Sequence, residues 1–184
     1  MANLLTLSRI VLIVPFAAMF FVDAGWAMNA ALAIFVLASL TDFLDGWIAR
    51  KRGETSALGA ALDPLADKLL VAAALLLLTR NGIIRDWGVI AGLVILLREI
   101  LVTGLREAVA ERGGTLAVTG LTKWKTAAQL VALGLLLAAA PTGLFGEALR
   151  PAAGGALWAA AILTFWTGAD YALKAVAALR GPTR

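Results

Sequence analysis

Four aspartates inside otherwise apolar sequence, between residues 42 and 67, constrain this chain more than any other feature. Asp42 and Asp45 are three residues apart, and Asp63 and Asp67 are four apart. On helices each pair would lie on one face, and two such faces brought together would form a pocket of four carboxylates. An aspartate at the centre of a membrane costs about 2.5–3.5 kcal/mol on insertion scales. One or two such residues could be helix caps near a membrane surface, but four on two facing helices indicate a functional site.

The surrounding sequence predicts a protein that crosses a membrane several times. Of the 184 residues, 61% are hydrophobic and only 15% are charged, which lies outside the usual range of soluble domains. A first apolar run covers about residues 10–22. Five more runs, each near or above the ~20 residues that a bilayer requires, cover about 26–50, 57–79, 87–109, 121–140 and 152–179. We therefore predict an all-α fold with six transmembrane helices in a single domain, 1–184, and a short N-terminal interfacial segment over residues 1–9.

The positions of Lys and Arg in the connections between these runs predict the orientation of the chain. Positively charged connections favour the cytoplasmic side of a membrane. One side carries only Arg80, Arg85 and Arg150. The other side carries eleven basic residues: Arg9, Arg50, Lys51, Arg52, Arg106, Arg112, Lys123, Lys125, Lys174, Arg180 and Arg184. We expect both termini and the carboxylate pocket to lie on the cytoplasmic side.

The absence of histidine and cysteine limits the chemistry that this chain can perform. Histidine is the commonest general base and metal ligand, and cysteine supplies thiolate nucleophiles and ligands for zinc or iron–sulfur clusters. Acid–base or metal chemistry must therefore use carboxylates, Lys, Tyr or water, and oxygen ligands favour Mg²⁺, Mn²⁺ or Ca²⁺. The net charge of +4 indicates attraction to an anionic membrane surface or anionic substrates, and no nucleic-acid partner is expected.

The two acidic helices would form a hairpin that turns at about residues 51–56. At ~1.5 Å per residue, the four carboxylates would lie roughly 9–17 Å from this turn. Gly46 follows Asp42 by four residues and Gly59 precedes Asp63 by four, so each glycine shares a helix face with an aspartate and lies closer to the hairpin connection. The missing side chain of a glycine lets a flat ligand approach the backbone. Arg50 could meet an anionic group that enters from the cytoplasm. Carboxylates, a divalent metal and an arginine together indicate chemistry on a diphosphate.

The same residues carry the pattern D-x2-D-G-x2-A-R-x8-G-x3-D-x3-D, and in this the chain resembles the CDP-alcohol phosphotransferase family. Eight fixed positions over 26 residues are filled without a departure: Asp42, Asp45, Gly46, Ala49, Arg50, Gly59, Asp63 and Asp67. The resemblance implies a membrane enzyme of six helices that is usually a homodimer. It also implies transfer of a substituted phosphate from a CDP-linked donor to an alcohol, with release of CMP and use of Mg²⁺ or Mn²⁺, as two ions.

The resemblance also implies roles for single residues. The metal ligands would be four carboxylates, of which the last would be a further ligand or the catalytic base: Asp42, Asp45, Asp63 and Asp67. The site for the donor, CDP-diacylglycerol, would be formed by four residues of the same motif: Asp42, Gly46, Arg50 and Gly59.

The acceptor must be predicted from residues outside the motif. Arg98 lies about eleven residues inside the predicted end of its helix, so it needs a buried partner or a ligand. Arg106 is eight residues further on and faces similarly after two turns. A cationic cluster beside the metal site favours an acceptor that bears its own phosphate, and the candidates to bind it are Arg9, Arg98, Arg106, Lys123 and Lys125.

Three segments outside the motif narrow the resemblance: N-L-L-T-L-S-R-I, R-E-I followed by L-R-E, and K-W-K-T-A-A-Q. They are similar to bacterial family members that transfer the phosphatidyl group of CDP-diacylglycerol to sn-glycerol 3-phosphate in phospholipid biosynthesis. This implies both substrates, membrane lipids and a second copy of the chain as partners, in a bacterial inner membrane. Cardiolipin, phosphatidylinositol-phosphate or phosphatidylserine synthesis remains open, as does a divalent-cation or proton transporter, although the inverted repeats and broken helices common in transporters are not evident.

Overall fold

The computed structural model describes the backbone of residues 2–52, 57–114 and 121–180, and the side chains of residues 7–41, 65–66, 68–114 and 124–179. Within these ranges the chain forms six α-helices, one short 3-10 helix and no strand. The helices are α1 Ala2–Met19, α2 Ala27–Arg52, α3 Ala57–Arg80, α4 Trp87–Glu111, α5 Leu121–Ala138 and α6 Arg150–Arg180, and the 3-10 helix is Gly146–Leu149. The predicted all-α class and the six helices are confirmed.

The predicted helix boundaries are within two residues of the observed ones for α2 to α6, but the first boundary was wrong. We predicted an interfacial segment over residues 1–9 and a span over 10–22, whereas α1 runs without a break from Ala2 to Met19. Residues 2–9 contain no glycine or proline, so the helix continues through them. It ends early because the backbone tightens there, with the Phe20 N–H donating to the Ala17 carbonyl at 3.1 Å.

The helices pack as two groups that α5 connects. α1 packs against α2 and α3, α4 packs against α6, and α5 contacts α2, α3 and α6. Phe16 is fully buried at the centre of the apolar core, edge-on to Phe20 at 5.3 Å between ring centroids. Fully buried alanines on several helices allow their backbones to approach closely, as small residues do between membrane helices: Ala31, Ala38, Ala74, Ala132, Ala153 and Ala160.

The connections after α1, α3 and α5 meet at one end of the bundle. The Asn81 Nδ2 donates to the Phe20 carbonyl at 3.3 Å, and the Asn29 Nδ2 donates to the Thr142 carbonyl at 3.5 Å. All three connections line one open cavity of about 490 Å³. The chain therefore runs up and down, and the ends of α2 and α3 that flank residues 53–56 point toward the opposite end of the bundle.

The outer surface of the bundle is strongly apolar. Large side chains such as Trp87, Trp166 and Leu173 are more than two-thirds exposed. In the part of the chain that the structure describes, the segments Trp87–Glu111 and Gly146–Leu179 are long and apolar enough to cross a membrane. Only 28% of the most apolar window in the first segment is buried, so most of its apolar surface lies on the outside of the bundle. An apolar surface of this extent requires lipid or a partner chain to cover it.

Candidate active site

The acidic motif lies on α2 and α3, two consecutive helices that contact each other. Asp42 and Asp45 belong to α2, and Asp63 and Asp67 belong to α3. Several predicted site residues have side chains outside the described part of the structure: Asp42, Asp45, Gly46, Arg50, Gly59, Asp63, Asp67 and Lys123. The carboxylate pocket and the roles of these residues therefore stay predictions.

Arg9 is fully buried in the bundle, although we predicted it near the surface of the membrane. Its side chain helps to line a small cavity of about 20 Å³, together with residues from α2, α3 and α5: Ala38, Ser39, Leu70, Val71, Thr126 and Leu130. A cavity of this volume is large enough for about one water molecule. Arg9, on α1, thus packs against residues of three other helices around a cavity whose lining is mostly apolar.

A second buried polar cluster joins α4, α5 and α6. The Glu99 carboxylate is its centre: Oε1 accepts from Lys125 Nζ, from Gln129 Nε2 at 3.1 Å and from Arg98 Nη1 at 3.4 Å. Two threonines of α6 complete the cluster. Thr164 Oγ1 accepts from Gln129 Nε2 at 2.9 Å, and Thr167 Oγ1 accepts from Arg98 Nη2 at 3.4 Å. The members are at most 8% exposed. The partner that Arg98 was predicted to need is therefore Glu99, with Thr167 beside it.

Counted over the side chains that the structure describes, this cluster holds one more positive charge than negative charge. Arg98 and Lys125 share a single carboxylate, that of Glu99, which can neutralise only one of them. Among the described residues, Arg98 Nε is buried and has no hydrogen-bond partner. Buried charge is tolerated when it is paired, so a surplus cation with an open donor is suited to hold an anion.

Arg106 and Tyr171 extend the positive region along α4 and α6. The Arg106 guanidinium lies 5.8 Å from the centroid of the Tyr171 ring, and both groups are close enough to Arg98 to interact with its charge. Among the described residues, the Tyr171 hydroxyl is buried without a hydrogen-bond partner. On the other side of the cluster, the charge of Lys125 interacts with that of Lys68, which directly follows Asp67. The cluster therefore lies beside the acidic end of α3.

The sequence predicted that Arg98, Arg106 and Lys125 belong to one site, but it did not predict the polar residues that form hydrogen bonds within the cluster. Gln129 follows Lys125 by four residues and shares its face, which was a usable signal. The other signal was a polar stripe on the apolar helix α6, spaced by three and four residues: Thr164, Thr167 and Tyr171. Nothing in the sequence showed that this stripe faces Arg98, because that depends on the rotation of α6 about its axis.

Replacing Glu99 by glutamine is expected to lower the free energy of unfolding by about 3–5 kcal/mol, because two buried cations would lose the one carboxylate that pairs with them among the described residues. The matched control is Glu147→Gln, which removes a pair with Arg150 on a side chain that is 62% exposed. A surface pair of this kind contributes about 0–1 kcal/mol. Thermal unfolding in detergent measures both. Equal melting temperatures for the two variants would contradict the central role of Glu99.

Side-chain ligands for a metal in this chain would be chiefly carboxylates, because the sequence has no histidine or cysteine. Among the described side chains, no group of three or more acidic residues could hold a metal ion. The four motif aspartates lie outside this set, and they supply carboxylate oxygens only. Such a donor set fits a hard divalent cation such as Mg²⁺ or Mn²⁺ and does not fit softer metals, which prefer nitrogen or sulfur ligands.

Comparison with known proteins relates the whole chain to one group of enzymes. It is 41% identical over 177 residues to CDP-diacylglycerol–glycerol-3-phosphate 3-phosphatidyltransferase of Pseudomonas fluorescens, covering 92% of this chain and 86% of that protein. It is 40% identical over 183 residues to the Arabidopsis thaliana protein of that name numbered 2, covering 94% and 78%. It is 36% identical over 212 aligned positions to the Cereibacter sphaeroides protein of that name, covering 97% and 96%.

A sequence model described as CDP-alcohol phosphatidyltransferase matches residues 1–166. That range contains the complete acidic motif together with Arg9, Arg98, Glu99 and Lys125, and it ends within α6, just before Thr167. The eight motif positions indicated this family, and the match over most of the chain confirms it. The protein belongs to the CDP-alcohol phosphatidyltransferase family.

Proposed function

We propose that this chain is a phosphatidylglycerophosphate synthase, which transfers the phosphatidyl group of CDP-diacylglycerol to sn-glycerol 3-phosphate and releases CMP. The relatives that it matches over most of their length, in bacteria and in a plant, carry the name of this reaction. Membership of the CDP-alcohol phosphatidyltransferase family supports the CDP-linked donor. The acceptor needs a separate argument, because members of one family can use different alcohols.

The observation that carries the choice of acceptor is the surplus positive charge of the buried cluster. Arg98 and Lys125 share one carboxylate, and Arg106 adds a further cation nearby. The phosphate of glycerol 3-phosphate would neutralise this surplus, and its oxygens would accept from Arg98 Nε and from the Tyr171 hydroxyl. Serine carries no phosphate and would leave the charge unbalanced. We assign the acceptor site to Arg98, Arg106 and Lys125, with Lys123 and Arg9 as further candidates.

Residues one helical turn from the motif support a pocket between α2 and α3. Ser39 precedes Asp42 by three residues, and Leu70 and Val71 follow Asp67 by three and four. Ser39, Leu70 and Val71 line the same small cavity. Because residues three or four apart share a helix face, this lining supports the proposal that Asp42 and Asp67 would face the same pocket.

The motif aspartates would hold the divalent cations that this reaction uses. Asp42, Asp45 and Asp63 would be ligands, with Asp67 as a fourth ligand or as the base, and Mg²⁺ or Mn²⁺ fits their oxygens, as two ions. The chemistry that such cations supply when bound is the neutralisation of charge on the donor diphosphate and on the departing CMP.

The residues of the chain would bind and orient the two substrates and accept the proton of the acceptor hydroxyl. Gly46 and Gly59 leave room for the nucleotide, Asp42 contributes to the same donor site, and Arg50 contacts the diphosphate. The acceptor site, formed by Arg98, Arg106 and Lys125, orients glycerol 3-phosphate so that its hydroxyl points at the phosphatidyl phosphorus. As the new phosphorus–oxygen bond forms, a carboxylate oxygen of Asp67 takes the hydroxyl proton. The bond to CMP breaks, and CMP leaves with the electron pair.

We also propose how the chain lies in the membrane. Residues 1–184 would form one domain of six membrane-spanning helices in a bacterial inner membrane, with both termini and the active site cytoplasmic and a homodimer as the assembly. The bias of basic residues to one set of connections, eleven against three, supports this orientation. The apolar outer surface supports contact with lipid. Accessibility of residues 112–114 and 141–145 to a label from the same side of the membrane would contradict it.

The proposed function is tested by the release of CMP from purified protein in detergent with CDP-diacylglycerol, Mg²⁺ and a panel of acceptors. We expect release with glycerol 3-phosphate, little with serine, inositol phosphate or phosphatidylglycerol, and none after EDTA, with recovery on added Mg²⁺ or Mn²⁺. Release with another member of the panel but not with glycerol 3-phosphate would move the protein to a sister activity. If no alcohol leads to release of CMP, the proposal that the protein is an enzyme of this kind is wrong, and the transporter alternative is favoured.

A further inference from the structure

Gly168 lies on α6 directly against the side chain of Arg98. A Cβ atom built on Gly168 would lie 2.5 Å from Arg98 Cγ, 3.0 Å from Nε and 3.3 Å from Cδ. Real Cβ atoms essentially never approach another heavy atom within 3.0 Å. Any side chain at position 168 would therefore occupy the space that the stem of Arg98 fills.

The overlap falls near the base of the Arg98 side chain, which makes it hard to relieve. Rotation of the guanidinium alone does not move Cγ, so either the whole side chain must change rotamer or α6 must move. A new rotamer would break the contacts that hold the guanidinium, to Glu99 Oε1 and to Thr167 Oγ1. The Thr167 hydroxyl cannot follow freely, because it donates to the Leu163 carbonyl at 2.8 Å.

We propose that Gly168 is a positioning residue for the acceptor: its missing side chain lets Arg98 lie along α6 with its guanidinium aimed at the acceptor phosphate. This inference rests on the proposed function, since it takes Arg98 as the residue that binds the phosphate of glycerol 3-phosphate. Glu99 and Thr167 orient the guanidinium from two sides, while Gly168 sets how close the arginine stem comes to α6. Position 168 thereby controls acceptor affinity without touching the acceptor.

The competing explanation is that Gly168 only allows α4 and α6 to pack closely, as small residues often do between membrane helices. The two explanations differ in what they predict when Arg98 is absent. If Gly168 acts through Arg98, removal of the arginine side chain makes an alanine at position 168 harmless. If Gly168 acts through packing of the backbones, the alanine is harmful in either background.

The first experiment compares Gly168→Ala with the wild type in the CMP-release assay. We expect the KM for glycerol 3-phosphate to rise about tenfold or more, with kcat and the KM for CDP-diacylglycerol within about threefold of the wild type. The matched control is Gly155→Ala on the same helix, where a Cβ would meet nothing within 4 Å, and we expect it to behave as the wild type. A folded, active Gly168→Ala protein with an unchanged KM for glycerol 3-phosphate would overturn the inference.

A double-mutant cycle completes the test. Arg98→Ala removes Cγ and every atom beyond it, so the double variant with Gly168→Ala should have the same acceptor KM as Arg98→Ala alone. Effects that multiply in the double variant would overturn the inference in favour of packing. If Gly168→Ala alone does not fold, recovery of folded protein in the double variant supports the inference, and failure of both variants overturns it.

The outcomes separate this inference from the proposed function. If wild-type protein and Gly155→Ala release no CMP with glycerol 3-phosphate, the proposed function is wrong. If both release CMP normally and only the predicted change at Gly168 is missing, the function stands and the positioning role is wrong.

Discussion

Asp67→Asn is expected to reduce the rate of CMP release by about 10²–10⁴-fold, the range that general-base catalysis contributes. Asparagine has nearly the same shape as aspartate and keeps one oxygen that can contact a metal or a ligand, but it cannot take the proton of the acceptor hydroxyl. Binding of CDP-diacylglycerol in the presence of Mg²⁺ should therefore change little. The measurements are the rate of CMP release at saturating substrates and equilibrium binding of the donor.

The control for this variant is Asp170→Asn on α6. Asp170 is half-exposed, and its Oδ2 accepts from Lys174 Nζ at 2.6 Å in a surface ion pair. The same substitution at Asp170 therefore changes an aspartate to which no catalytic role is assigned. We expect its rate to match that of the wild type. If Asp67→Asn loses donor binding to the same extent as turnover, Asp67 is chiefly a metal ligand, and its assignment as the base is wrong.

Arg98→Ala is expected to raise the KM for glycerol 3-phosphate by roughly 10- to 150-fold, since a hydrogen bond to a charged group contributes about 1.5–3 kcal/mol. The reason lies in the charge of the cluster: without Arg98, Glu99 and Lys125 form a neutral pair, so the positive charge that attracts the phosphate falls by one and only that of nearby Arg106 is left unbalanced among the described residues. The KM for CDP-diacylglycerol should stay near the wild-type value. Steady-state kinetics with each substrate varied in turn separates the two constants.

Arg150→Ala is the matched control, because Arg150 pairs with Glu147 at 3.0 Å outside the acceptor cluster. Arg98→Lys adds a graded variant that keeps the charge but loses the planar fork of the guanidinium, so its KM should lie between those of the wild type and Arg98→Ala. A fall in kcat with an unchanged acceptor KM would show that Arg98 acts on the reaction itself and does not bind the acceptor phosphate.

Much of the fold could be predicted from the sequence because long apolar runs alternate with short polar connections. Such runs form helices whose ends lie near the first polar or helix-breaking residues, and the ends of α2 to α6 were predicted within two residues. The start of α1 was not, because residues 2–9 are suitable for a helix whether they lie on the membrane surface or continue the first span. Composition does not decide between these two positions.

The acidic motif is the part of the protein that the sequence determined by itself. Helix geometry relates residues three and four apart, so the spacing of Asp42, Asp45, Asp63 and Asp67 was enough to indicate a carboxylate site, and the eight-position pattern was enough to indicate the family. The tertiary structure decided what surrounds Arg98. Its partners on α6 are about 70 residues away, and Lys125 is 26 residues from Glu99. Contacts across such separations depend on how each helix is rotated against its neighbours, and that rotation is set by the packing of the whole bundle.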